Sequence, residues 1–258
     1  DIQIPTDPKH TASYFHGTNG QAPYNLLHLD AVYDLRQHTY LDAQVCGRRN
    51  SDERGTLCEM VDRSDITNAL MIADRGYESY NLMAHIQEKG WKFLIRVKDI
   101  SSSGIASGLE LPDSDEFDLF CPIQLTRRRK IETIPLLADK NHYKWIAAST
   151  PFDYLPAGSH KHDPIAFYYL PFRIVRFKLS DSSYETVITN LDAEYFPPEE
   201  LKHLYGMRWG IETSFRELKY TVGLLHFHAK KVENITQEIY ARLIMYNFSE
   251  LITSHVVI

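Results

Sequence analysis

Only three residues, Arg36, Gln37 and His38, separate two runs with strand character, 25–35 (NLLHLDAVYDL) and 39–46. A gap that short makes the two runs each other's partner, so they are expected to fold as an antiparallel hairpin. Residues 1–5 alternate polar and apolar and supply a further strand to the same antiparallel start. The pattern then changes period. Residues 52–65 place Leu57, Met60 and Val61 at helical spacing, and 69–73 (ALMIA) is a buried-strand run ending in Asp74-Arg75-Gly76-Tyr77. A helix over 79–89 stops at Gly90, and 92–98 (KFLIRVK) is the next strand. The order β-β-β-α-β-α-β predicts an α/β fold, a mixed sheet with flanking helices.

Composition narrows the class. Of 258 residues, 43% are hydrophobic and 24% charged, which excludes disorder and collagen-like structure. Cys46, Cys58 and Cys121 are widely spaced without a C-x-x-C pair, against a zinc ribbon or a disulfide framework. No run is long and apolar enough for a membrane helix, and the first residues lack the pattern of a leader. Lys plus Arg number 28 against 34 Asp plus Glu, a formal charge of −6, so the chain is not coated in basic surface. Residues 101–108 are rich in Ser and Gly and 110–118 hold five acids, where the chain is expected to leave the core. The signals over 120–190 are mostly β. The expected organisation is a first core segment at 1–99, a β-rich insertion at 100–196 and a second core segment at 197–258. The last begins with Pro197-Pro198-Glu199-Glu200, a helix start, and is expected to continue as one helix to about Val222.

In that helix, at about 100° per residue, Tyr205, Arg208, Glu212 and Lys219 fall within an arc of about 60°, bordered directly by an apolar stripe including Met207, Ile211, Phe215 and Leu218. An ordinary surface helix with an Arg208/Glu212 pair worth a few tenths of a kcal/mol is the plainer account. The spacing Y-x-x-R-x-x-x-E-x-x-x-x-x-x-K tips the balance. A chance match of four fixed positions comes to about one in a thousand for a chain of this length. The pattern resembles the signature of bacterial DDE transposases of the insertion-sequence-four family, and Trp209 after the arginine agrees. The strand ending in Asp74-Arg75 resembles the family's strand that presents its second catalytic aspartate. The resemblance implies a ribonuclease H-like fold with a β-rich insertion before the last catalytic helix.

The resemblance also implies two-metal phosphodiester cleavage and strand transfer, with Mg2+ as cofactor and Mn2+ able to substitute; hard carboxylate oxygens suit these ions. Asp74 and Glu212 match the second and third carboxylates and are the implied catalytic residues and metal ligands. Tyr205, Arg208 and Lys219, with Arg75, are the implied contacts to DNA phosphates. The first aspartate is the departure. Residues 2–5 (IQIP) resemble the stretch that follows it, placing it upstream of Asp1; Asp1, Asp30 and Asp34 do not match the motif. The chain as written is therefore expected to lack that ligand and to be inactive or nearly so. The implied partners are double-stranded DNA, both transposon inverted-repeat ends and target, and a second copy in a homodimer. The implied location is the bacterial cytoplasm, at the nucleoid when active.

Two rival readings stay open: a transposase-derived DNA-binding protein without catalysis, and a ribonuclease H-like nuclease without strand transfer. Arg127-Arg128-Arg129-Lys130 is either a DNA-backbone contact or a solvated charge run. His160 and His162, and His226 and His228, are expected to be structural or surface groups rather than metal ligands. The charge is uneven, since residues 200–231 hold six Lys/Arg against three Asp/Glu.

Overall fold

The computed structural model describes residues 1–18, 20–155, 167–181 and 183–254. They form a mixed α/β structure in two compact units: residues 1–60 with 207–258, and residues 61–206.

The first unit is built on the expected hairpin. Strands β1 (Ile2–Ile4), β2 (Tyr14–Phe15), β3 (Tyr24–Asp34) and β4 (Thr39–Gly47) form one antiparallel sheet, with β1, β2 and β4 all pairing with β3. The hairpin register runs from Leu27↔Gly47 to Asp34↔Thr39, and the tight connection uses a left-handed residue, His38 at φ 57°. Helices α4 (Trp209–Tyr220) and α5 (Val232–Ser254) complete the unit. α5 buries Val232, Ile235, Ile239, Leu243 and Tyr246, a helical stripe that meets Ile2, Ile4, Leu27 and Tyr40 of the sheet and Leu218 of α4. Asn247 acts as a surrogate strand: its amide oxygen accepts from Tyr40 N at 2.7 Å and its amide nitrogen donates to Tyr40 O at 2.8 Å.

The boundary between the units falls inside α1 (Glu53–Arg63). The second unit contains β5 (Leu70–Ala73), α2 (Tyr80–Glu88), β6 (Lys92–Arg96), β7 (Phe117–Thr126), β8 (Tyr143–Trp145), β9 (Tyr168–Ser180), β10 (Ser183–Thr189) and α3 (Pro198–Gly206). Its six strands lie in the order β5-β6-β10-β9-β7-β8. β5 and β6 are parallel, as a connection through a helix requires, and α2 ends at Gly90 in the left-handed conformation, φ 74°. The strands of the β-rich segment extend the sheet of β5 and β6, because β10 pairs antiparallel with β6. Leu94, Val175, Phe177 and Val187 of the sheet pack with Leu201 and Tyr205 of α3.

One expectation is corrected here. The helix expected to run unbroken from 197 to about 222 is two helices, α3 and α4, separated at Met207-Arg208. Gly206 and Gly210 flank the break, and glycine costs about 1 kcal/mol in a helix interior relative to alanine. Across the break the chain closes with short-range bonds, Gly210 N to Met207 O at 2.9 Å and Ile211 N to Arg208 O at 3.2 Å.

Candidate functional site

In the second unit, Asp74 follows the last residue of β5 and caps a single 3-10 turn, Arg75–Tyr77. Its Oδ1 accepts from the backbone N–H of Arg75 at 2.7 Å, and Tyr77 N donates to its carbonyl at 2.9 Å. The Tyr205 hydroxyl reaches the same Oδ1 at 3.4 Å, from a side chain buried against Leu94, Val175 and Leu201. Arg96, which the sequence did not single out, has NH1 3.7 Å from Asp74 Oδ1 and donates through Nε to Glu185 Oε1 at 3.0 Å. The pairing explains this neighbour: Ala73 lies opposite Ile95 in the parallel β5/β6 ladder, so the next residues of both strands emerge side by side. The Arg75 side chain is exposed.

In the first unit, α4 buries Ser214 and Leu218 and turns Glu212 outward. Ser214 is tied by its hydroxyl to Tyr40 at 2.9 Å and to Ile211 O at 2.8 Å. Arg208 is buried at the start of α4; its NH1 donates to Glu212 Oε1 at 2.5 Å and its guanidinium lies 4.9 Å from the Trp209 ring centroid. Lys219 is two turns beyond Glu212 and so on its side of α4. The structure thus joins Asp74 with Tyr205, and Arg208 with Glu212. The single arc holding all four signature residues does not survive as drawn, since Tyr205 belongs to α3 and the other three to the start and body of α4.

The remaining candidates separate by what holds them. Asp1 Oδ1 and Asp30 Oδ1 are both bonded to the His28 ring, at 2.7 and 3.1 Å, and Asp34 caps the turn through the N–H groups of Arg36 and Gln37. Arg127 is structural: its guanidinium donates to the carbonyls of Ala147, Thr150, Phe152 and Leu155. Arg129 lies over Trp145, 5.5 Å from the ring centroid. His228 is fully exposed, and its N–H and that of Ala229 bond Glu238. His160 and His162 lie outside the described residues. Among the described residues no three His, Cys, Asp or Glu side chains group as a metal centre, and no helix is long and apolar enough to cross a membrane.

A partly exposed carboxylate at a strand end can take a hard divalent cation, and the donor chemistry of Asp74 and of Glu212 fits such an ion. The family described as "Transposase DDE domain" matches residues 2–248. A curated relative, "Transposase for insertion sequence element IS231B" of Bacillus thuringiensis subsp. berliner, is 22% identical over 268 aligned residues. The match covers 95% of this chain and 53% of that protein, so the chain spans about half the length of the relative.

Proposed function

The chain belongs to the family of transposases with a DDE domain, of ribonuclease H-like α/β fold, and from that premise we propose that it carries the catalytic core of an enzyme that cleaves transposon ends and joins them to target DNA. Asp74 and Glu212 each supply carboxylate oxygen to divalent metal, Mg2+ with Mn2+ as a substitute. Two such ions, when bound, activate the attacking oxygen and stabilise the leaving oxygen of an in-line displacement. The first carboxylate of the triad is not assigned to a residue of the chain.

The chain's own groups supply binding and orientation. Arg208 and Lys219 meet phosphates of the bound end, Arg208 as a forked donor and Lys219 as a point charge, with Arg75 as a further contact on the family pattern. Arg208 has a second role in the absence of DNA, holding one oxygen of Glu212. Double-stranded DNA, as inverted-repeat ends and target, is the substrate, and a second copy is the partner on paired ends. Residues 1–99 and 197–258 are taken as the catalytic segments and 100–196 as the insertion between them.

The observation that carries this reading is Asp74 at the carboxyl end of β5, partly exposed and with its Oδ1 fixed by the Arg75 N–H, in a chain of this family. Its test is a transposition assay in cells. Introduced into the reading frame that encodes the chain, Asp74→Ala and Glu212→Ala are each expected to lower excision of the element at least about 100-fold, since even outer-shell partners of a metal cost 10–100-fold. The purified variants should bind duplex DNA as the parent does. Excision at the parental rate in both variants would defeat the proposal.

A further inference from the structure

We infer that Tyr205 is a positioning residue for Asp74, and that Oδ2 of Asp74 is the oxygen left to bind metal. This rests on the metal role of Asp74 proposed above, and it departs from the family pattern, which makes Tyr205 a phosphate contact.

The contacts of Asp74 converge on one atom. The Arg75 N–H at 2.7 Å, the Tyr205 hydroxyl at 3.4 Å and the Arg96 guanidinium at 3.7 Å all address Oδ1. Two of these come from parts of the chain with little freedom: the N–H belongs to the adjoining turn, and the Tyr205 ring is 5% exposed in the core beneath α3. A carboxylate held at one oxygen keeps its plane fixed while the lone pairs of the other stay available, which is how second-shell groups orient first-shell ligands. A phenol has a single proton to donate. Donated to Asp74, that proton is not offered to a phosphate, whose oxygens only accept. Arg96 stands further off, its Nε engaged with Glu185 at 3.0 Å and its NH1 3.7 Å from Asp74 Oδ1, beyond hydrogen-bond range.

The test is direct binding of Mn2+ to the 258-residue chain without DNA, read by loss of the free-ion electron paramagnetic resonance signal, for the parent, Tyr205→Phe and Asp74→Asn. Binding of a duplex in EDTA and thermal melting are measured alongside. Tyr205→Phe is expected to raise the apparent Kd for Mn2+ about 10-fold, with melting temperature and duplex affinity unchanged; Asp74→Asn is expected to raise it further. If Asp74→Asn weakens Mn2+ binding and Tyr205→Phe does not, the positioning role is overturned while the metal reading stands. Weaker duplex binding by Tyr205→Phe with unchanged Mn2+ affinity restores the phosphate contact in its place. Absence of Mn2+ binding in the parent, or binding indifferent to Asp74→Asn, overturns the metal reading and this inference with it.

Discussion

His85 sits buried on α2 with both ring nitrogens engaged, Nδ1 to Asp62 Oδ1 at 2.9 Å and Nε2 to Asp153 Oδ2 at 2.8 Å. Both contacts need a donor, and only the imidazolium donates from both nitrogens. Burial by itself lowers the His85 pKa, but the hydrogen bonds and charges of Asp62 and Asp153 outweigh it and leave the value raised above the ordinary 6.5. Asp153 is lowered in turn, first by the Asn81 amide and then by His85. The signs define a window. A raised histidine stabilises fully below its unfolded value and loses that contribution as pH climbs through the folded one, whereas a lowered aspartate stabilises above its unfolded value and loses it as pH falls through the folded one. The stability advantage of the parent over His85→Gln in urea melts is therefore expected to be largest between about pH 4 and 6.5 and to shrink steadily toward pH 9. An advantage independent of pH over that range would show that the charged form is not what matters. At this scale the sequence exposed some of the site and hid the rest. Asp74 was legible because it ends an apolar run beside Gly76. Arg96 was not, because its place beside Asp74 depends on the register between two strands. Arg127 read as either a nucleic-acid contact or a solvated charge, because charge is visible in a sequence and the four carbonyls that absorb it are not.

Among the elements, those with strong periodicity and short connections form where the sequence puts them: the 25–46 hairpin, the strand before Asp74, the helix ending at Gly90 and the strand after it. The failures have physical causes. Residues 167–169 and 173–179 each have strand character in the sequence with Pro171 between them, yet residues 168–180 form one strand, β9. It is continuous because Pro171 lies opposite Pro122 of β7 and beyond Thr189↔Arg173, where pairing with β10 ends, so the missing N–H is not needed by a second neighbour. The helix expected to run unbroken to about Val222 divides between Gly206 and Gly210, where glycine weakens the helix interior. Another glycine is decisive for the first sheet. At Gly47, the end of β4, an added Cβ would stand 2.4 Å from the carbonyl oxygen of Ala12 and 2.5 Å from its carbon, both backbone atoms, while Arg49 N bonds that same oxygen at 3.0 Å. Backbone cannot step aside as a side-chain tip can. Gly47→Ala is expected to destabilise by about 1–3 kcal/mol, measured by chemical denaturation. Gly206→Ala, where nothing lies within 4 Å of an added Cβ, is expected to be neutral or slightly stabilising.

For the whole molecule, the chain order and the compact units do not coincide. The first unit is assembled from residues 1–60 and 207–258, and its core depends on α5, whose Ile239 is fully buried with Ile2, Leu27 and Tyr40. The second unit is one continuous stretch with a core of its own around Leu94, Val175 and Val187. Nothing in composition or periodicity marks this division, because it follows from which distant segments share a core. The signature is divided by it as well, Tyr205 falling in one unit and Arg208, Glu212 and Lys219 in the other. A charge inserted in the first core should reveal the division. An aspartate at a fully buried apolar position costs several kcal/mol, since no partner there can compensate it. In hydrogen exchange, Ile239→Asp is thus expected to remove protection from β1, β3, β4, α4 and α5 together, though they lie at opposite ends of the chain. β6, β9 and β10 should keep theirs, because the ladders that join them and the core around Leu94, Val175 and Val187 belong to the second unit. Loss confined to α5 would mean that the helix is peripheral to the first core, and equal loss across residues 61–206 would mean that the chain unfolds as one cooperative body.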